Sequence, residues 1–337
     1  MAKNRIIWVD WAKSVCMFLV VLGHCHIQSS MYMITQVIYS FHIPLFFFIS
    51  GLLCPKHFSK STLLKDIRYI VVPYFVFGIL EIIVNSILSR EYSSQLYLSK
   101  IRFLFIGNDA SIGAIWFLPS LFMCKQLYYI LMRIGRNSII AHTLLFILSL
   151  LPTYYIPLYN TNLPLFTDSA LFGLPFFLLG SYCLSYIENK SHDNTLRISV
   201  ATIVFLTLTI ILSYYNGFVS IAICCYGSNL LLYYINALTG IATIIGACLL
   251  LRNKYYSFII ITSYGTIVTL GFHGIILLFL QYYIPVYAGF YTPSVCLPIA
   301  IIYASITYFI CYILIIMGNH YCPQFLGLKG NLPTYIK

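Results

Sequence analysis

The chain has 337 residues, 61% of them hydrophobic and only 8% charged, with a formal net charge of +11. A water-soluble domain carries roughly a quarter charged residues to solvate its surface, so this composition excludes a soluble globular protein and makes lipid the main solvent. The basic residues sit almost entirely in short loops between apolar runs, which reads as a topology signal and not as nucleic-acid binding.

In chain order, apolar runs of membrane-spanning length cover 6–27, 36–54, 69–89, 113–134, 139–158, 169–187, 198–215, 229–251, 258–282 and 294–317. The expected fold is therefore an all-α integral membrane protein of ten transmembrane helices, with one polytopic domain over 1–320 and a short cytoplasmic tail over 321–337. The first run carries charged residues and is followed by further spans, so we expect it to be retained, not cleaved as a signal. The stretch 216–230, NGFVSIAICCYGSNL, is too apolar for an ordinary loop and is expected to be re-entrant or to extend a helix.

Lys and Arg alternate between connections. Lys3 and Arg5 precede the first span; Lys56, Lys60, Lys65 and Arg68 follow the second; Arg133 and Arg136 follow the fourth. Lys190 and Arg197, Arg252 and Lys254, then Lys329 and Lys337 continue the pattern. The other connections lack them except the third, with Arg90, Lys100 and Arg102. This is the positive-inside pattern for ten helices with both ends in the cytoplasm. The 11 Cys residues are scattered without a C-x-x-C pair, and in membrane helices they read as small apolar residues.

Titratable residues inside a bilayer cost several kcal/mol each and normally face a cavity or a partner. The first span holds Asp10, Lys13, His24 and His26. The 11 positions from Lys13 to His24 complete three turns plus about 20°, so both project from one face, about 16 Å apart along the axis. Asp10 lies one turn before Lys13 on nearly the same face. A cation at the inner mouth and an imidazole farther in suit a long ligand with an anionic head and a reactive tail, the shape of a coenzyme A thioester. Equally, Lys13 could snorkel to headgroups and His24 bond within the bundle. His42 in the second span could satisfy a carbonyl freed by Pro44. His273 lies mid-membrane between Gly271 and Gly274, small residues that let helices approach closely. Glu81 and Asn85 could pair with Lys125 as a structural contact. The histidines are isolated from acidic partners, and no metal site is indicated.

Several blocks taken together resemble one family. WVDWAK ending at Lys13, then GH ending at His24, then YSFHIPLFFFISG through His42 to Gly51 are similar to the opening of the acyltransferase 3 family. The nearest branch contains fucose 4-O-acetylases and other surface-polysaccharide O-acetyltransferases. The likeness continues through RYIVVPY from Arg68, IWFLPSLF around Trp116, PFFLLG ending at Gly180, CYGSNLLLYYINAL around Asn236, and LGFH ending at His273. The resemblance implies ten membrane helices in a bacterial cytoplasmic membrane, cytoplasmic acetyl-CoA as donor co-substrate, no permanently bound cofactor, and a polysaccharide or lipid-linked glycan as acceptor. Many members carry Arg where this chain has Lys13, and Lys keeps the charge without the planar fork.

On this reading His24 is the general base, with an acyl-histidine as the alternative. His42 and His273 position the acceptor or stabilise the oxyanion. Lys13 and Arg68 bind the donor's phosphates, although Arg68 also simply ends a basic loop. Asp10, Trp116 and Asn236 line the substrate cavity, and Trp116 also suits an interfacial belt. A transporter or flippase for a lipid-linked sugar or small anion is the competing class; it predicts inverted repeats with matching broken helices, and none is apparent. The acceptor's identity and the oligomeric state are not legible in the sequence.

Overall fold

The computed structural model describes residues 5–27, 32–89, 93–107, 110–135, 138–159, 163–190, 194–289 and 294–330. Helix α1 (Ile7–Gly23) is followed by α2 (Tyr32–Leu52) and by α3 (Lys60–Asp66), which passes through a π turn at Ile67–Val71 into α4 (Val72–Ser89). Helix α5 (Ser94–Ile106) and a 3-10 turn at Ala110–Trp116 lead to α6 (Phe117–Gly135). Then come α7 (Ile139–Ser149), α8 (Leu151–Tyr159), α9 (Thr167–Lys190), α10 (Thr195–Asn216) and α11 (Leu230–Leu250). The chain ends with α12 (Ser257–Tyr264), α13 (Thr266–Leu278), a π turn at Phe279–Tyr283, α14 (Ile284–Tyr287) and α15 (Leu297–Tyr321).

Among the described residues, nine helical stretches are long and apolar enough to cross a membrane, and they coincide with nine of the ten expected spans. The remaining span is α1, 17 residues long and carrying Asp10 and Lys13. It packs against α2, α11, α12, α13 and α15, so its polar groups meet protein and not lipid.

Two expected spans are broken for identifiable reasons. The run 139–158 divides after Ser149, because Pro152 has no N–H to continue the ladder. The run 258–282 divides at Gly265 and continues beyond its expected end, through the second π turn to Tyr287. Helix α5 was not expected at all. It lies in the third connection and carries Lys100 and Arg102, the basic residues that interrupt the charge alternation. Asn229 starts α11 by accepting from the N–H groups of Leu231 and Leu232, which no earlier turn can satisfy.

Of the expected tail, residues 331–337 lie outside the described residues. Residues 322–330 fold back on the bundle. Leu328 is buried, and the Lys329 N–H donates to the Tyr264 hydroxyl at 2.7 Å. All 11 cysteines are free thiols.

Lipid is as apolar as the side chains, so helix association here depends on close packing. Helices α2 and α9 meet through reciprocal glycines. A Cβ on Gly51 would lie 1.9 Å from the Phe177 carbonyl oxygen, and one on Gly180 would lie 2.0 Å from that of Phe48. Neither obstacle is a side chain that can turn aside. Gly180→Ala should destabilise the bundle by about 1–3 kcal/mol through overpacking. The expected readout is a lower unfolding temperature of the purified protein in detergent; an unchanged temperature would mean the helices can separate at little cost.

Candidate active site

Helix α1 organises the site. Lys13, Met17, Val20 and His24 are spaced four, three and four apart, so they form one stripe along it. Lys13, Met17 and Val20 line a chamber of about 270 Å³, together with Ser50, Ile70 and Lys125. Val20 and His24 line a second chamber of about 320 Å³, together with Tyr39, His42, Trp116 and Phe218. Val20, Ile43 and Leu270 belong to both walls and separate one chamber from the other. The ends differ in charge. The first chamber has two amines, and among the described residues no Lys, Arg, Asp or Glu lines the second.

Lys125 donates to Asp66 at the end of α3. This replaces the expected pairing with Glu81 and Asn85. The π turn after Asp66 packs against α6, which brings Asp66 over the Lys125 side chain. Glu81 lies instead behind Gly113, where a Cβ would come within 2.5 Å of its Oε1. Lys13 belongs to neither the Lys125–Asp66 pair nor the Arg5–Asp10 pair.

Two histidines, His24 and His42, line the second chamber, and His273 is buried beside His24. His24 follows directly on the last residue of α1, exposed on the chamber wall. Its ring centre lies 5.0 Å from that of His273 and 6.4 Å from that of Tyr39, which in turn packs 4.8 Å from His42. His42 and His273 are buried and anchored alike. The His42 Nδ1 lies 2.8 Å from the Ile38 carbonyl oxygen, and the His273 Nδ1 lies 2.9 Å from those of Thr269 and Leu270. A carbonyl oxygen only accepts, so Nδ1 carries the proton in both rings and Nε2 of the neutral ring is an acceptor. The carbonyl that His42 meets is that of Ile38, not the one freed by Pro44. The Nε2 of His273 has no partner among the described residues.

The other expected site residues lie elsewhere. Asp10 is on neither chamber wall. It accepts from Arg5 at 2.5 and 2.9 Å and from the Ser263 hydroxyl at 2.6 Å, while Arg5 also donates to the Ile260 carbonyl at 3.1 Å. Asn236 is fully buried between α10 and α11, hydrogen-bonded to Ser213 at 3.0 Å, and also lines neither chamber. Arg68 is exposed on the first π turn, its guanidinium 5.6 Å from the Tyr69 ring centre; the same turn places Ile70 in the first chamber. Trp116 stands on the second chamber's wall, edge-on to Phe117 at 6.1 Å.

Sequence reasoning missed Lys125 as a chamber residue, and it missed Tyr39 altogether. Lys125 is a cation within an apolar span, a signal that was present; Tyr39 is one of 30 tyrosines and had none. It also missed the contribution of Phe218, Ser220, Ile221 and Ala222, which reach the chamber from the segment between α10 and α11. Among the described residues no group of three His, Cys, Asp or Glu side chains converges to hold a metal ion.

A family model described as an acyltransferase domain matches residues 6–317, nearly the whole chain. No curated protein and no solved structure matches it.

The histidine anchoring has a direct spectroscopic consequence. In protein with ¹⁵N-labelled histidine, reconstituted in lipid at neutral pH, His42 and His273 should both give the signature of a protonated Nδ1 and a bare Nε2. An Nδ1 without a proton in either ring would show that its carbonyl bond is not made.

Proposed function

The chain belongs to the acyltransferase 3 family, and from that footing we propose that it moves an acetyl group from acetyl-CoA to a hydroxyl of a cell-surface glycan or its lipid-linked precursor. It is a multi-pass membrane acyltransferase; the donor, the acceptor and a bacterial cytoplasmic membrane are our reading. The observation that carries this reading is the α1 stripe, which runs from a chamber with two amines to a chamber with an exposed imidazole. A donor with an anionic nucleotide and a long slender arm fits that sequence of environments. Lys13, which belongs to neither ion pair, attracts the anionic end from the cytoplasmic side beside the Lys125–Asp66 pair, and the arm passes between Val20, Ile43 and Leu270 to bring the thioester to His24. A third cavity of about 540 Å³ is lined by Lys56, His57 and Arg133, and Lys56 follows directly on Pro55 of the first chamber's wall, so basic side chains surround the same approach. The family assignment leaves the transporter reading without a supporting observation.

The chemistry balances as follows. The acceptor hydroxyl oxygen attacks the thioester carbonyl carbon while its proton passes to the free ring nitrogen of His24. The tetrahedral intermediate collapses with cleavage of the carbon–sulfur bond, and the imidazolium returns the proton to the departing thiolate. The products are an O-acetyl ester and the free thiol, with His24 restored. Oxyanion stabilisation needs donors aimed at the reacting oxygen. His42 and His273 commit their Nδ1 protons to backbone carbonyls, so the neutral rings cannot serve as those donors; His42, on the chamber wall, acts as an acceptor for a substrate hydroxyl, and the buried His273 stands beside His24. The Tyr39 hydroxyl and the Trp116 indole N–H stand on the same wall and take the donor role.

His24→Ala should lower acetyl transfer by about 10²–10⁴-fold, the usual contribution of a positioned general base. The measure is the O-acetyl content of the host's surface polysaccharide by proton NMR, with membrane protein levels checked. Wild-type acetylation would remove His24 from the chemistry. Deletion of the gene that changed polysaccharide amount but not acetylation would restore the transport reading. Lys13→Gln should raise KM for acetyl-CoA with less effect on kcat, and Lys13→Arg should retain function, because the position needs a cation more than a particular shape.

A further inference from the structure

The segment joining α10 to α11 is an ordered hairpin, built with more care than a connection requires. The N–H groups of Ser220 and Cys225 each donate to the other's carbonyl oxygen at 2.8 Å. Asn216 clamps the base: its Nδ2 donates to the Tyr226 carbonyl at 2.8 Å, and its Oδ1 accepts from the Asn229 N–H at 3.0 Å. Gly217 and Gly227 supply the left-handed backbone at the two ends, with φ of 75° and 84°. Val219 and Ile221 are buried and anchor the hairpin in the bundle, whereas Ile223 at the tip is 62% exposed. The inward face gives Phe218, Ser220 and Ala222 to the chamber that holds His24. Phe218 packs 5.4 Å from Tyr39, the aromatic neighbour of both His24 and His42.

We propose that this hairpin is the acceptor-binding wall, and that it holds an uncharged, hydroxyl-bearing sugar ring. The inference rests on the glycan-acetylation reading and adds the recognition element and the charge class of the ring. Among the described residues the second chamber's wall has no Lys, Arg, Asp or Glu, and the charged group next to that wall, Glu81 behind Gly113, is itself acidic, so a phosphate or carboxylate placed there would lose its water without gaining a counter-ion. A neutral ring meets suitable partners. Its hydroxyls face the Ser220 and Tyr39 hydroxyls and the acceptor nitrogen of His42, and its apolar faces meet the Phe218, Tyr39 and Trp116 rings. The amines lie in the other chamber, so the two substrates are sorted by charge before they meet at His24.

The test uses the full chain in lipid nanodiscs, with acetyl-CoA and, as acceptor probe, the host's surface polysaccharide freed of O-acetyl groups by mild base. Phe218→Ala and Ser220→Ala should each raise KM for the polysaccharide by about tenfold, an amount equal to about 1.4 kcal/mol of lost acceptor binding. KM for acetyl-CoA should stay at its wild-type value in both variants, and an unchanged unfolding temperature certifies the fold. Ile223→Ala, on the hairpin's outer face, should change neither KM. A methyl hexoside should inhibit transfer more strongly than the corresponding methyl hexuronoside. Equal changes in both KM values, an unchanged polysaccharide KM in Phe218→Ala and Ser220→Ala, or stronger inhibition by the hexuronoside would overturn the proposal. A wild-type chain that hydrolyses acetyl-CoA but never acetylates the polysaccharide would overturn the glycan reading, and one that does not use acetyl-CoA would overturn the donor.

Discussion

Lipid offers no hydrogen bonds, so every polar side chain in this molecule must find its partner in the protein or face a chamber. That constraint sorts the polar residues of α1. Asp10 is a stable part of the bundle because Arg5 and Ser263 enclose it, linking α1 to α12. Lys13 and His24 have no such enclosure and open onto chambers. One short helix thus carries both a structural ion pair and the polar groups of the site, and its burial among five other helices holds the two in register.

The same constraint explains why the anchored histidines differ from the exposed one. In lipid a ring nitrogen left unbonded is costly. His42 and His273 each bond a carbonyl of their own helix with one nitrogen. This fixes ring orientation and tautomer and leaves a single nitrogen available for substrate. His24 follows the last turn of α1 and, among the described residues, is not held by such a bond. The general-base role proposed for it, taking up and releasing a proton in each cycle, is suited by that freedom.

Two chambers with a shared apolar partition offer a physical account of how acyl transfer can proceed inside a membrane without opening it. Val20, Ile43 and Leu270 resist hydrated ions, yet a slender uncharged arm needs no counter-ion to pass between them. Charge is concentrated at the end with Lys13 and Lys125, and the His24 end is aromatic and hydroxylic. On the proposed reading each half of the reaction has its own environment, and the reacting groups meet where the two walls join.

Composition and hydrophobic periodicity alone determined the membrane class, the positions of the spans and the common face of Lys13 and His24, because these depend on solvent and helix geometry that act locally. The ordered blocks also pointed to the acyltransferase 3 family. Only the tertiary structure decided which polar residues share a chamber. Asp10 and Lys13 are neighbours on one helix, yet one is enclosed and the other open, since Arg5 and Ser263 reach Asp10 from either side. Asn236 sits in a block that resembles the family and is spent on the α10–α11 interface. Lys125 takes Asp66 as its partner because a π turn, which no periodicity announces, sets the end of α3 over α6. The stretch 216–230 was recognisable as too apolar for a loop. That it folds into a hairpin follows from the Asn216 clamp and two glycines of positive φ, and that the hairpin faces His24 follows from Val219 and Ile221, whose burial exists only once the helices around it are assembled.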